Sequence, residues 1–180
     1  MINVKEDNID IYFKMINNLA SLSKCNKLKV GSLILKNNSI ISTGVNGTPR
    51  GYKNSCEENI VTCLICGKTH TVKQSHGPYS YICGCTAELR FDEVSNNIKQ
   101  VSSDVVVHSE ENAILNAVRN HIPLEGSSIL ISHAPCIKCA KLIQGTGIRE
   151  VIYKDDYKNS DGVDLLKELN IKVFKWGDCR

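Results

Sequence analysis

A histidine, a glutamate and two cysteines in this sequence have the types and spacing of a catalytic metal site. His108 and Glu110 lie two residues apart in "VVVHSEEN", and Cys136 and Cys139 lie three residues apart in "APCIKCAK". Cysteines at that spacing on a helical turn direct both thiolates to one point. One imidazole and two thiolates are three ligands of a tetrahedral Zn²⁺, and the fourth position is left for water, as a catalytic zinc site requires. The pattern therefore predicts a catalytic zinc ion held by His108, Cys136 and Cys139.

Glu110 is the candidate proton carrier, because it follows the predicted ligand His108 by two residues. Zinc lowers the pKa of a bound water to about 7, and a nearby carboxylate can take the released proton and pass it to a substrate nitrogen. These parts predict hydrolytic deamination of an amidine-like carbon. The pair H-x-E and P-C-x-x-C also matches the known signature of zinc-dependent base deaminases. Either motif alone is weak evidence for a catalytic site, because H-x-E is commonly coincidental and C-x-x-C can be a structural zinc pair or a redox motif.

The elements that must position these residues alternate between strands and helices. Apolar spacing predicts a helix over residues 8–24, and the turn-forming "NNS" predicts a hairpin of "LKVGSLILK" and "SIISTGV". From residue 104 onward, strands at "DVVV", "SSILIS", "REVIYK" and "IKVFKW" alternate with helices at "SEENAILNAVRN", "IKCAKLIQGTG" and "GVDLLKELN". Strands separated by single helices predict a three-layer α/β fold. Both ligand groups then lie at helix amino termini, whose partial positive charge favours thiolates.

Length and composition indicate one domain over residues 1–180, with a Cys/His-rich insertion at about 55–103. Of the 180 residues, 42% are hydrophobic and 23% charged, which is an ordinary globular mixture. The net charge of +3 suits a small anionic ligand but not a surface that coats nucleic acid, because acidic residues lie between the basic ones. We see no signal-peptide pattern and no apolar run of the roughly 18 residues that span a bilayer, so we expect a cytoplasmic protein without a membrane partner.

Several further motifs occur in the order found in the deoxycytidylate (dCMP) deaminase family, which the sequence resembles over most of its length. They are "SKCNKLKVGSLIL", "IISTGVNGTPRG", "VHSEENAIL", "APCIKCAKLIQGTGIREVIY" and the tyrosine of "KDDYKN". The resemblance implies a cytidine-deaminase-like fold, with a mixed sheet of about five strands flanked by helices. It also implies zinc-dependent conversion of dCMP to dUMP in pyrimidine deoxynucleotide metabolism. The chain departs from the family at Ser109, where alanine is usual, and at Val45, where tyrosine is common.

Matching positions in the family's motifs assign more residues to the nucleotide. By this resemblance, Asn46 hydrogen-bonds the sugar, the Ala134 carbonyl accepts from the exocyclic amine, and Tyr157 helps to close the phosphate end. Arg119 is expected to bind the 5′-phosphate, because it lies on the helix that begins beside His108 and a guanidinium suits a phosphate. A solvated surface arginine is the alternative for Arg119.

The resemblance further implies an allosteric enzyme that dCTP activates and dTTP inhibits, assembled as a hexamer. The loop "NGTPRG" is expected to form part of the effector site through Asn46, Gly47 and Arg50. Glycine permits close approach of the backbone to phosphate, and a nucleotide effector could carry Mg²⁺. An ordinary turn is the alternative for this loop.

The remaining cysteines resemble the structural zinc cluster found in part of the family. Thiols are kept reduced inside cells, so a disulfide framework is not expected, and closely spaced pairs indicate metal. A zinc site can order a segment that has little core of its own. One or two structural zinc ions are expected, with Cys63 and Cys66 sharing one; the division of the other ligands stays open, and unliganded buried thiols are the alternative. The candidates are Cys25, Cys56, Cys63, Cys66, His70, His76, Cys83 and Cys85.

Other functions remain as alternatives to dCMP deamination. A related enzyme could deaminate dCTP or a 5-modified dCMP. A deaminase of tRNA or single-stranded DNA needs a basic groove and stacking aromatics, which a sequence with 6% aromatic residues and no basic cluster does not favour. A zinc-ribbon interaction protein with an inactive core is also conceivable, but the intact set of His108, Glu110, Cys136 and Cys139 argues against it.

Overall fold

A computed structural model describes residues 4–63, 66–72, 81–82, 88–89 and 98–177. The helices are α1 Glu6–Ala20, α2 Ser109–Arg119, α3 Ile137–Gly145 and α4 Asp161–Glu168. The strands are β1 Gly31–Lys36, β2 Ser39–Val45, β3 Glu57–Thr62, β4 Thr69–Val72, β5 Tyr81–Ile82, β6 Glu88–Leu89, β7 Ile98–Ser102, β8 Ser128–His133, β9 Glu150–Asp155 and β10 Lys172–Lys175. Among the described residues, no helix is long and apolar enough to cross a membrane.

The main sheet has five strands in the order β10-β9-β8-β1-β2. Strands β8, β9 and β10 are parallel, whereas β1 runs antiparallel to both β2 and β8. The predicted hairpin is β1 and β2, and its turn places Asn37 and Asn38 at φ values of 52° and 59°. Asparagine tolerates this left-handed region better than most residues, which is why the "NNS" segment closes the hairpin. The predicted mixed sheet of about five strands is confirmed.

Helices cover both faces of this sheet. On one face, Ile9, Phe13 and Ile16 of α1 pack in a cluster that includes Leu33 and Leu130 of the sheet. On the other face, residues of α2, α3 and α4 pack in a second cluster against Ile34, Ile129, Ile131 and Val151. Successive side chains of a strand point to opposite faces, so the apolar run of β8 is buried on both sides. The three-layer α/β arrangement is confirmed.

The predicted strand at "DVVV" is wrong. Only Val107 makes a bridge, with Gly47: each backbone N–H of this pair donates to the other residue's carbonyl, at 3.1 and 2.9 Å. The preceding segment turns instead, because the Val106 N–H donates to the Ser103 carbonyl, and Val105 is exposed. Valine favours strands only where a neighbouring strand and a packing surface are present, and most of this segment has neither.

The part of the chain predicted as an insertion contains strands that the sequence did not predict. Strands β3, β4 and β7 form an antiparallel sheet in the order β4-β3-β7, and β5 pairs with β6. "EENIVT" and "IKQVS" have too few apolar residues in alternation to be recognised as strands. Cys56, Val61 and Cys63 are buried in this region. The bounds of the insertion stay a prediction.

Candidate active site

His108 lies at the start of α2, in extended conformation immediately before the first helical residue. Glu110 and Glu111 occupy the first turn, where carboxylates are favoured by the helix dipole. Four side chains tie α2 to the sheet at bond lengths of 2.6–2.9 Å. The four bonds run from Ser32 Oγ to the Ser109 carbonyl, from Ser42 Oγ to the Ala113 carbonyl, from Asn112 Nδ2 to the Val45 carbonyl and from Asn116 Nδ2 to the Thr43 carbonyl. The sheet therefore sets the position of the helix that carries His108 and Glu110.

Gly44 of β2 allows an unusually close approach of the strand to α2. A Cβ atom built on Gly44 would lie 2.0 Å from the Ser109 carbonyl oxygen and 2.5 Å from the Ala113 nitrogen. Any side chain at this position would push the beginning of α2 away from the sheet. The absence of a side chain at Gly44 thus allows α2 to pack close enough to β2 to hold His108 and Glu110 in their observed positions.

The two cysteines follow the central strand β8 at the start of α3. Cys136 precedes the first helical residue in extended conformation, and Cys139 is buried in the first turn. Helix α4 holds this loop from the other side: a Cβ on Gly162 would lie 2.1 Å from the Pro135 carbonyl oxygen. The loop before α3 is therefore confined between the sheet and α4.

The structure brings His108, Cys136 and Cys139 together. The Nδ1 atom of His108 lies 3.6 Å from Cys136 Sγ and 3.4 Å from Cys139 Sγ, and a ligand atom of each residue lies within 4.8 Å of the others. A tetrahedral zinc ion with bonds of about 2.1–2.3 Å places its ligand atoms about 3.6 Å apart. Within the described part of the chain, this is the group of at least three His, Cys, Asp or Glu residues whose ligand atoms lie that close together. The donor set and its spacing fit zinc.

The three side chains form a polarised group. The Cys139 thiol donates a hydrogen bond to Cys136, which lowers the pKa of Cys136 to about 3 and raises that of Cys139. The hydrogen bond with Cys136 also raises the pKa of His108. Cys136 therefore carries a negative charge at neutral pH, and a thiolate is the form of cysteine that binds zinc.

Glu110 lies beside this group with its carboxylate almost fully buried, at 4% exposure. Burial raises the pKa of Glu110, because the charged form loses hydration. The Ser109 hydroxyl donates to Oε2 of Glu110 at 3.0 Å. A carboxylate whose pKa is moved towards neutrality can both accept and return a proton, so Glu110 has the position and the electrostatic setting of a general base.

A cavity opens onto this group, and its lining includes His108, Glu110 and Cys136. Of the residues that the family resemblance assigned to the substrate, Asn46, Ala134 and Tyr157 line the cavity. Other walls come from residues that the sequence did not single out as site residues. They are Leu28, Val30, Glu57, Ser102, Ser103, Val106, Ser109 and His133.

Asn46 has a structural role that sequence reasoning missed. Its Oδ1 accepts from the Val30 N–H at 2.8 Å, and its Nδ2 donates to the Leu28 carbonyl at 2.8 Å. The side chain thereby holds the segment before β1 against the cavity. Each group of the amide retains one further hydrogen-bonding position that these two backbone bonds do not use.

Arg119 is not brought to the cavity of its own chain. It is exposed at the last residue of α2, whereas His108 precedes the first. At a rise of 1.5 Å per residue, the two ends of this helix lie roughly 15 Å apart.

The structure instead places a different cation near Tyr157: Lys158 Nζ lies 5.5 Å from the centroid of the Tyr157 ring. Nothing in the local pattern of "KDDYKN" distinguished Lys158 from the other surface lysines.

The predicted effector loop adjoins the cavity through Asn46. The Gly47 N–H and carbonyl are both bonded to Val107, so this N–H is already engaged in a backbone hydrogen bond. Arg50 is exposed. A Cβ built on Gly47 would meet no atom within 4 Å, so the space beside this backbone is open.

The structure contradicts the prediction that Cys25 and Cys56 hold a structural zinc ion, because these two cysteines form a disulfide that the sequence did not predict. Their sulfur atoms are bonded to each other, and a disulfide sulfur is not a thiolate ligand. The pair joins the segment after α1 to the start of β3 and lines the cavity. Glu57 reinforces the connection, because its Oε1 accepts from the N–H groups of Asn26 and Lys27.

Cys63 and Cys66 lie at the end of the β3–β4 hairpin. Cys63 is buried and Cys66 exposed, and the Gly67 N–H donates to the Cys63 carbonyl. His70 lies on β4, where it pairs with Val61. The other candidates, His76, Cys83 and Cys85, lie outside the described residues. A structural zinc ion shared by Cys63 and Cys66 therefore stays a prediction.

Comparisons with known proteins agree with the geometry. Residues 7–155 match the family model of the cytidine and deoxycytidylate deaminase zinc-binding region. The chain is 37% identical to the deoxycytidylate deaminase of Enterobacteria phage T4, over 84% of this chain and 81% of the phage protein. It is 30% identical to the deoxycytidylate deaminase of Schizosaccharomyces pombe, over 93% of this chain and 44% of the yeast protein. The solved dCMP deaminase of cyanophage S-TIM5, in complex with dCMP and dUMP, has a TM-score of 0.69 and 26% identity, covering 96% of this chain and 99% of that one.

Proposed function

The chain belongs to the cytidine and deoxycytidylate deaminase family, and we propose that it hydrolyses dCMP to dUMP and ammonia. The observation that carries the proposal is the group of His108, Cys136 and Cys139 beside the buried carboxylate of Glu110. His108, Cys136 and Glu110 line one cavity. The relatives named above as deoxycytidylate deaminases support the choice of a nucleoside monophosphate as substrate.

The chemistry can be assigned to particular side chains. His108, Cys136 and Cys139 would hold zinc, which supplies Lewis-acid activation of water. Glu110 takes a proton from that water and delivers it to the ring nitrogen next to the amino-bearing carbon of cytosine. The water oxygen forms a bond to this carbon. Glu110 then takes the second proton from the same oxygen and passes it to the amino group as the carbon–nitrogen bond breaks. Water and dCMP are consumed, and dUMP and ammonia are released.

The remaining cavity residues would orient the nucleotide. The Ala134 carbonyl accepts from the exocyclic amine, and Asn46 contacts the sugar with the positions that its backbone hydrogen bonds leave unused. Tyr157 lies at the phosphate end, where Lys158 adds positive charge. Because Arg119 does not line the cavity of its own chain, a role for it at the phosphate would require another copy of the chain.

Regulation and assembly belong to the same proposal. We assign dCTP as activator and dTTP as inhibitor at a site that includes Asn46, Gly47 and Arg50, with Mg²⁺ on the nucleotide, in a cytoplasmic hexamer. Asn46 supports the link between effector and substrate, because it lines the cavity and begins the "NGTPRG" loop. A structural zinc ion on Cys63 and Cys66 completes the assignment.

Ammonia release from dCMP tests the catalytic proposal. Glu110→Gln keeps the shape of the side chain and removes the base, so turnover should fall by about 10²- to 10⁴-fold while the zinc content stays unchanged. Glu111→Gln is the matched control, because Glu111 neighbours Glu110 in the first turn of α2 and has no assigned proton transfer. A Glu110→Gln protein that turns over dCMP at the rate of the unmodified protein would refute the mechanism.

A second assay separates the phosphate candidates and the substrate alternatives. Lys158→Glu should raise the KM for dCMP at least 10-fold more than that for deoxycytidine, because the substituted carboxylate repels only the phosphorylated substrate. Arg119→Glu should raise the KM for dCMP in this way only if Arg119 of one copy of the chain reaches the cavity of another copy. Measuring dCMP, 5-methyl-dCMP, dCTP and deoxycytidine, each with and without dCTP or dTTP as effector, identifies the preferred nucleotide. Preference for dCTP as substrate would overturn the choice of a monophosphate.

A further inference from the structure

Ser109 and Glu110 form a side-chain pair at the beginning of α2. The Ser109 Oγ donates to Glu110 Oε2 at 3.0 Å. Ser109 is fully buried and Glu110 is 4% exposed, so this hydrogen bond is shielded from bulk solvent. A hydroxyl that donates to a buried carboxylate makes a stronger hydrogen bond than a neutral pair does.

The hydroxyl is available for this bond because of its place in the helix. Within a helix, a serine hydroxyl commonly bonds to the carbonyl four residues earlier. Ser109 is the first residue of α2, so no preceding helical turn offers such a carbonyl. The Glu110 carboxylate takes the hydroxyl hydrogen instead.

The backbone of Ser109 is itself held in place. Its carbonyl accepts from Ser32 Oγ at 2.8 Å, and the absence of a side chain at Gly44 lets β2 pack directly against it. The position of the Ser109 hydroxyl is thus set by the sheet. A rigid donor can fix the orientation of the carboxylate that it contacts.

We propose that Ser109 is a positioning residue for proton transfer, which anchors Oε2 of Glu110 so that Oε1 faces the reacting groups. A carboxylate without this anchor can rotate about its terminal bond, whose torsion is broad. Misorientation of a proton carrier lowers the rate of the chemical step and leaves substrate binding almost unaffected. This inference rests on the proposed deamination, in which Glu110 carries the protons.

Ser109→Ala tests the proposal, because it removes the hydroxyl without adding volume. The kcat for dCMP should fall about 10-fold, as expected for the loss of a hydrogen bond to a charged group, with KM changed less than two-fold and zinc content unchanged. Ser128→Ala is the matched control: Ser128 is a buried serine that also donates to a buried carboxylate, Oε2 of Glu150 at 2.7 Å, and neither residue lines the active-site cavity. Its kcat should stay within about two-fold of the original.

A double variant separates positioning from a general effect on the fold. In a Glu110→Gln background, adding Ser109→Ala should lower the residual rate by less than two-fold, because there is no carboxylate left to orient. A 10-fold loss in that background, or a kcat of Ser109→Ala within two-fold of the original, overturns the proposal.

Crystal structures of the original protein and of Ser109→Ala give a readout that does not depend on turnover. The carboxylate of Glu110 should change orientation or become disordered in the variant. An unchanged, ordered carboxylate overturns the positioning role even if the protein proves inactive on dCMP. Inactivity of the unmodified protein, by contrast, overturns the proposed function, so the two failures are distinguishable.

Discussion

Gly44→Ala should damage the active site without touching any residue that reacts. The added Cβ would lie 2.0 Å from the Ser109 carbonyl oxygen, and ordinary contact begins at 3.4 Å. The beginning of α2 would therefore have to retreat by about 1.4 Å, because the obstructing atoms belong to the helix backbone and no side chain can rotate away. His108 and Glu110 would move with it.

The energetic cost can be estimated from the bonds that such a shift breaks. The hydrogen bonds from Ser32 and Ser42 to α2 measure 2.8 and 2.6 Å, and a shift of that size would stretch them beyond 3.5 Å. Each bond contributes about 0.5–1.5 kcal/mol, and overpacking adds about 1–3 kcal/mol. We expect the free energy of unfolding to fall by roughly 2–6 kcal/mol. A displacement of about 1 Å in a catalytic group can cost about 100-fold in rate.

Urea unfolding, zinc content and steady-state kinetics with dCMP measure these effects. Gly145→Ala is the control, because Gly145 ends helix α3 and a Cβ there meets no atom within 4 Å. That variant should keep full activity and the same or slightly greater stability. The reasoning would be refuted if Gly44→Ala retained kcat within about three-fold and lost less than 1 kcal/mol of stability.

Three further outcomes follow from the structure. Replacing Cys25 and Cys56 with serine should lower the free energy of unfolding by about 3–4 kcal/mol, which is the loop-closure contribution for a sequence separation of 31. Loss of a zinc ion in that variant would contradict the disulfide. Equal stability of the original protein with and without reductant would also contradict it. Burial raises the pKa of Glu110, and a general base must be deprotonated to act. A plot of kcat/KM against pH should therefore reach its maximum above that pKa and fall as the pH drops through it, at a pH above the ordinary value of 4.5. A fall in kcat/KM that occurs only at or below pH 4.5 counts against Glu110. Treatment with a chelator should abolish turnover, and Zn²⁺ should restore it; activity that persists in a protein shown to contain no metal excludes a catalytic zinc ion.

Local patterns in the sequence were enough to predict the reacting groups and the class of fold. H-x-E and P-C-x-x-C are read within a few residues, and each begins a helix whose apolar spacing is equally local. The turn at Asn37 and Asn38 depends on the conformations that asparagine tolerates. Such features need no knowledge of distant contacts, which is why the hairpin, the alternation of strands and helices and the proposed zinc ligands could be inferred before the structure was known. The mixed sheet of about five strands was implied by the resemblance to the deaminase family.

Only the tertiary structure decided which distant segments meet. The order β10-β9-β8-β1-β2 places β8 beside β1, and this pairing brings Cys136 and Cys139 to His108. Other tertiary contacts bond Val107 to Gly47 in place of a strand at "DVVV" and join Cys25 to Cys56. The sequence by itself determined what chemistry the side chains can perform, because reactivity belongs to residue types. The structure decided which of them act together, because the pairing of strands and the empty space at Gly44 depend on residues far apart in the chain.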